Sequence, residues 1–291
     1  MTTAQAISFG IQGSMALMVL CVGLHARIAD VGYFAQRPGL LLRSLLAMNV
    51  VMPAVAVGIA LAFDLDRPLK VALIALAVSP VPPILPGTQL KAGGRSSYVV
   101  GLLATAALVS IVFVPAAAAA IGRIFGAEVR TAPSAIAWIV GTSILAPLLA
   151  GVVVARVAPV LAARIAGPLA HVATIVLVVA FLPVLLRVWP AIVGSFGNFS
   201  LLTIVVFVAL GLAVGHFLGG PDGEDRSVLA LATASRHPGV ALAVVHDSGD
   251  LLRPVLGVVL VCLIVGALLG AVYAHGSGRA SAPAARRPRA G

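Results

Sequence analysis

The chain has 291 residues, of which 61% are hydrophobic and only 10% charged, and its mean hydropathy is +1.14. Soluble domains carry roughly 25% charged residues, so this chain cannot cover a water-facing surface; a soluble enzyme is excluded and lipid is the matching solvent. The net charge of +10 then reads as basic residues in the loops of a membrane protein rather than as a nucleic-acid footprint.

A spanning helix needs about 20 mostly apolar residues. In chain order the segments that meet this are 4–24, 39–63, 69–90, 97–121, 133–155, 168–186, 199–218, 227–245 and 254–274. They predict an all-α integral membrane protein with about nine transmembrane helices. No basic stretch precedes the first segment, which therefore reads as a span and not as a signal peptide. Short connections imply a single transmembrane transporter domain over residues 1–275. The Ala/Pro/Arg-rich remainder, 276–291, reads as a disordered tail whose Arg279, Arg286, Arg287 and Arg289 suit anionic headgroups. Cys21 and Cys262 each lie inside an apolar run, without metal-ligand spacing or a disulfide context, and read as packing residues. No metal or cofactor is expected.

The basic residues set the orientation. With the N-terminus outside, Arg27, Arg37, Arg43, Lys91, Arg95, Arg156, Arg164, Arg226 and the four tail arginines fall inside. Arg67, Lys70, Arg123, Arg130, Arg187 and Arg253 fall outside, and Arg236 lies within a span. Basic residues concentrate on the cytoplasmic side, so the N-terminus is expected outside and the C-terminus in the cytoplasm of a multi-pass plasma-membrane protein.

The third and eighth segments are not plain apolar helices. The third contains SPVPPILPG, with Pro80, Pro82, Pro83 and Pro86. Each proline removes a donor and clashes with the turn before it, so the helix must stop, run extended and restart. The eighth contains ASRHPG, in which the breaker pair Pro238-Gly239 follows Arg236 and His237. Irregular backbone at membrane depth survives only where protein or a watery cavity surrounds it, and an arginine there costs several kcal/mol unless it faces a cavity or partner. The alternative for each is a polar loop between two short surface helices.

Each interrupted segment is followed by one last helix of its half, and the two lie five segments apart, so they run in opposite directions. This is the pattern of an inverted repeat, four segments against five, with the interrupted helices crossing at a midplane substrate site. The candidate substrate-binding residues are Thr88, Gln89, Thr233, Ser235, Arg236 and His237. Arginine pairs bidentately with carboxylates and sulfonates, and Arg236 is expected to serve binding while contributing little to folding. His237 either titrates and couples transport to protons or simply hydrogen-bonds within the break. Lys91 reads as a snorkelling interfacial residue.

The run "ALMVLCVGLHARIADVGYFAQRPGLLLRSLLAMNVVMPA", Ala16 to Ala54, resembles the second and third helices of the bile acid:sodium symporter family. "SPVPPILPGTQLKAGG" and the following "YVVGLLATAALVSIVFVPAAA" resemble its first broken helix and the helix after it, and "LATASRHPGVALAV" resembles its second broken helix. The resemblance implies a core domain in which the two broken helices cross, a panel domain that moves against it, and symport of bile acids or other organic anions with sodium. It also implies a form with nine helices, lacking the first of ten. In that family hydroxyl and amide side chains after the first break, and an acidic residue and a Gln at the second, hold sodium; the matching positions here are Leu85, Pro86, Ala232 and Arg236. All nine acidic residues fall at segment ends or in loops. These departures point to transport of a small organic anion without sodium. An ordinary sodium-coupled symporter, or a non-transporting membrane scaffold or receptor, are the alternatives. An arsenite-type exporter would place a cysteine in the first broken helix, and none is there.

Overall fold

The computed structural model describes residues 3–126, 129, 131–194, 199–246 and 249–281, and among them every regular element is helical. The principal helices are α1 (Thr3–His25), α2 (Pro38–Ala62), α3 (Arg67–Val78), α4 (Leu85–Lys91), α5 (Ser96–Ile124) and α6 (Pro133–Val157). They continue with α7 (Pro159–Gly194), α8 (Ser200–Leu218), α9 (Gly223–Ala234), α10 (Pro238–Val244) and α11 (Leu252–Ser281). Proline occupies the first turn of α2, α3, α4, α6 and α10, where its missing N–H is no loss and its fixed φ favours helix entry. Among the described residues six helices are long and apolar enough to cross a membrane. Their outer faces expose large apolar residues such as Val112, Ile175 and Val272, as lipid-facing surfaces do. This is a multi-pass membrane protein.

The apolar segments read from the sequence fall on helix except at the two breaks, residues 79–84 and 235–237, and several boundaries differ, most at the sixth and the last segments. The helix expected to begin at residue 168 begins at Pro159. Pro168 is absorbed within α7 as a tolerated membrane-helix proline. The last helix continues to Ser281, past the boundary at 276; the rest of the basic tail lies outside the described residues.

Two helices carry a π turn. Pro53 has no N–H and its ring crowds the carbonyl four residues back, and α2 widens over Leu46–Val51 so that Met52 donates to Ala47 O, five residues away. In that register the next donor would be the N–H of Pro53, which does not exist, and the Met48 carbonyl is left without a partner from its own helix. The same event precedes Pro147 in α6, where Gly141–Leu145 is π-helical and Ala146 donates to Gly141 O.

Glycine lets two pairs of helices touch backbone to backbone. Helix α1 packs on α6 and α7; a Cβ on Gly23 would sit 2.9 Å from the Gly151 Cα and one on Gly151 would sit 2.8 Å from the Gly23 Cα. Helix α8 packs on α9 through Gly211, Gly215 and Gly219, the four-residue spacing of small residues that brings membrane helices together. The connection between α1 and α2 docks on the start of α5, where Ser97 Oγ donates to Asp30 Oδ1 at 2.6 Å and Tyr33 stacks on buried Tyr98.

A Cβ at Gly215 would run into Thr233 Oγ1 and Leu229 O of α9, whereas one at Gly58 meets nothing within 4 Å. Overpacking costs about 1–3 kcal/mol. Gly215→Leu is therefore expected to lower the melting temperature in detergent by several degrees, and Gly58→Leu to leave it unchanged. Equal melting temperatures would refute the close α8–α9 crossing.

Candidate functional site

Helix α3 ends at Val78 because Pro80, Pro82 and Pro83 follow. Ser79 is extended (ψ 153°), and its hydroxyl turns back to donate to Ala75 O at 2.6 Å. The chain restarts as α4 at Leu85. Helix α9 ends at Ala234, Ser235 and His237 are extended, and Pro238 opens α10. The two breaks meet. The His237 N–H donates to Pro80 O at 2.8 Å, while Arg236 Nη1 donates to Ser79 O at 3.1 Å and Nη2 to Met48 O at 3.0 Å.

This pairing follows from what each side lacks. Proline contributes a carbonyl and no N–H, so the first break is rich in acceptors and poor in donors. The guanidinium has five donors and no acceptor. The second break supplies what the first is missing, and the third carbonyl is the one orphaned by the π turn of α2. Arg236 is 3% exposed, and its Nε has no acceptor among the described residues. Beside it lies a cavity of about 20 Å³ lined by Ser235, Arg236, Cys262 and Gly266 among others, room for one water. Among the described residues no carboxylate lies within 4 Å of this guanidinium. The arginine thus has a larger part in the fold than the sequence suggested, because it satisfies two buried carbonyls.

His237 is equally buried. Its Nδ1 accepts from Val240 N–H at 3.3 Å, capping α10. An accepting Nδ1 makes the ring neutral and puts its proton on Nε2, which lies 3.4 Å from Ser143 Oγ. Ser143 stands on the π turn of α6 and itself donates to Ile139 O at 2.6 Å. The capping bond favours the reading in which His237 hydrogen-bonds within the break over the reading in which it titrates.

The other candidates divide. Gln89 is buried on α4, and its Nε2 donates to Val228 O of α9 at 2.8 Å, joining the second half of one interrupted helix to the first half of the other. Thr233 is buried against α8 and donates to Leu229 O and Ala230 O of its own helix. Thr88 is exposed on α4 and Ser235 half-buried at the break. Pro80, Pro82, Pro83 and Pro86 are buried, Pro238 and Gly239 half-buried. Lys91 is exposed. The residues that sequence reasoning missed are Met48, Ser79 and Ser143, two of them on π turns; the available signal was a proline, 53 or 147, in the middle of an apolar span.

One cluster of ion pairs gathers where α5 and α9 begin, and Lys70 lies 4.0 Å from Asp64 where α3 begins. Arg95 lies 3.1 Å from Asp222, 3.5 Å from Glu224 and 3.0 Å from Asp225, and Arg37 lies 3.8 Å from Asp225. Burial pushes the Asp225 carboxyl above its ordinary value, against the pull of Arg95. The Arg95 Nε–Asp225 Oδ1 contact is an ion pair without hydrogen-bond geometry, since neither atom has a hydrogen-bond partner. Glu128 and Asp247 lie outside the described residues. Among those described, no group of three or more His, Cys, Asp or Glu is placed to hold a metal.

A family model described as the Sodium Bile acid symporter family matches residues 14–192, more than half of the chain, from α1 through the first break and into α7. No curated protein matches the chain.

Gln89→Leu keeps the volume near constant and removes the bond to Val228 O. A hydrogen bond of this kind contributes about 1 kcal/mol, so the melting temperature is expected to fall by a few degrees. No change at all would mean that the two interrupted helices are not tied at this point.

Proposed function

The chain belongs to the sodium bile acid symporter family, and on that premise we propose that this membrane transporter carries a small organic anion, a carboxylate or sulfonate, without coupling to sodium. The observation behind the reading is Arg236. Its guanidinium brings a full positive charge among the helices with only neutral carbonyls for company. A charge in that position costs several kcal/mol unless it is compensated, and an anionic substrate compensates it. At ~5 Å and an effective dielectric near 20, opposite unit charges attract by roughly 3 kcal/mol. The same arithmetic repels a sodium ion, and the two carbonyls a cation would look for, Ser79 O and Met48 O, already accept from the arginine.

In this reading the substrate's acid group takes the Nε2–H of His237 from Ser143, whose 3.4 Å contact is long for a hydrogen bond. Ser235 at the break and Thr88 on the exposed side of α4 offer hydroxyls to the rest of the polar head. Gln89 and Thr233 act indirectly, by holding α4 and α9 in place. The transport domain has nine spans, in an inverted repeat of four against five with the breaks at its centre. Core and panel parts interleave along it, and the basic tail follows.

Uptake of a labelled organic anion into proteoliposomes, with the anion chosen by a thermal-shift screen of carboxylates and sulfonates, tests the proposal. Rates in sodium, potassium and choline buffers at fixed pH are expected to agree. A steep dependence on sodium alone would restore the ordinary symporter mechanism, and absence of flux for every anion screened would favour a scaffold. Arg236→Gln is expected to reduce uptake at least ~10-fold, the equivalent of 1.4 kcal/mol. Arg236→Lys should be impaired too, because an ammonium does not reproduce the fork that reaches two carbonyls. Normal transport by Arg236→Gln would remove the arginine from the mechanism.

The N-terminus is placed outside and the C-terminus in the cytoplasm. A cysteine introduced at Ser281 is expected to resist an impermeant maleimide in intact cells and to react after permeabilisation. Labelling from outside would invert the topology.

A further inference from the structure

Four arginines from different elements gather where α2 begins, α5 begins and the α8–α9 turn closes, and they are not equally provided for. Arg37 and Arg95 take the carboxylates of Asp222, Glu224 and Asp225. Arg43 on α2 and Arg226 on α9 have no carboxylate within 4 Å among the described residues. Yet both reach the same residue. Arg226 Nε donates to Gly220 O at 2.7 Å, and Arg43 Nη1 lies 3.8 Å from where a Cβ on Gly220 would be. Gly220 has φ +91° and turns the chain between α8 and α9, its carbonyl taken by Arg226 and its side-chain-free face turned toward Arg43.

Two guanidinium groups beside one glycine, neither with a carboxylate within 4 Å among the described residues, leave donors free for an anion. The surroundings say where such an anion comes from. Leu42 beside Arg43 is 69% exposed and Phe217 near the end of α8 is 82% exposed, two large apolar side chains on the outer surface that suit acyl chains. The arginines stand in the second turn of α2 and the first turn of α9, and Gly220 follows the last turn of α8. That is the level at which a span meets headgroups. We propose that Arg43 and Arg226 bind the phosphate of an anionic phospholipid, whose acyl chains run along Leu42 and Phe217. Guanidinium forks suit a phosphodiester because its unesterified oxygens accept paired N–H bonds. The lipid would bridge α2, which supplies the Met48 carbonyl, and α9, which leads to Arg236, so its binding steadies the crossing from outside. The proposal is independent of the substrate and of its coupling ion.

The test uses the full chain, stripped of lipid in a neutral maltoside detergent. Thermal unfolding and native mass spectrometry are recorded with dioleoyl phosphatidylglycerol, with dioleoyl phosphatidylcholine and with inorganic phosphate. Phosphatidylglycerol is expected to raise the melting temperature by several degrees and to leave one retained lipid, while the other two do neither. Arg43→Gln/Arg226→Gln should lose both effects. The single variant Arg43→Gln changes an exposed side chain that holds no backbone group, and it should lose most of the shift even if the double variant does not fold. An undiminished phosphatidylglycerol shift in Arg43→Gln overturns the site. An equal shift from inorganic phosphate would make it a site for soluble anions, and an equal shift from phosphatidylcholine would make the effect one of acyl chains alone; either result defeats the proposal.

Discussion

A stretch of backbone rich in proline has carbonyls to satisfy and almost no N–H groups to offer, and at the centre of a bilayer there is no water to make up the difference. Each buried polar group left unpaired there costs several kcal/mol. The chain resolves this with an arginine, the side chain whose hydrogen-bonding inventory is the reverse, all donors and no acceptors. Ser79 O and Met48 O are satisfied by Arg236, and Pro80 O by the His237 amide. The rest of the arrangement follows: α3–α4 and α9–α10 are held break to break, and α2 must pass close enough for its π turn to take part.

The glycines decide how rigid that assembly is. With Gly211 and Gly219 against the α9 backbone and Gly215 against Thr233 and the Leu229 carbonyl, the segment leading to the second break rests on a close α8–α9 contact. The link across to α6 is of another kind. Besides apolar packing of α10 on α6, its polar part among the described residues is the 3.4 Å contact from His237 to Ser143, long for a hydrogen bond. The ring's Nδ1 is occupied by its capping bond to Val240. Short hydrogen bonds therefore hold the two breaks to each other, and packing with one long contact joins them to α6.

The breaks were legible in the sequence because four prolines within Pro80–Pro86, and Pro238-Gly239 after an arginine, are local signals that no tertiary context cancels. The apolar spans were legible for the same reason: lipid imposes length and composition one segment at a time. What could not be read was the partner of each polar side chain. Arg236 invites the thought of an anion, yet its two terminal nitrogens go to backbone carbonyls that exist only because of proline positions elsewhere in the chain. Gln89 looked like a ligand and reaches Val228 O, 139 residues away. Pro168 looked like the start of a helix and lies within one. For each side chain, the distant group that answers it was not available to a reading along the chain.

The orphaned carbonyl of Met48 ties together two residues that never touch. Pro53 creates the vacancy in hydrogen bonding and Arg236 fills it, so the consequence of changing either depends on the identity of the other. If an ordinary residue replaces Pro53, its amide can claim Met48 O and the arginine is left with a donor to spare. If Arg236 is exchanged for an apolar residue, the proline becomes a liability. The two positions are therefore epistatic, although 183 places apart in the sequence. Among descendants of this chain they should be inherited or lost as a pair, a statistical trace of a bond that neither residue makes to the other.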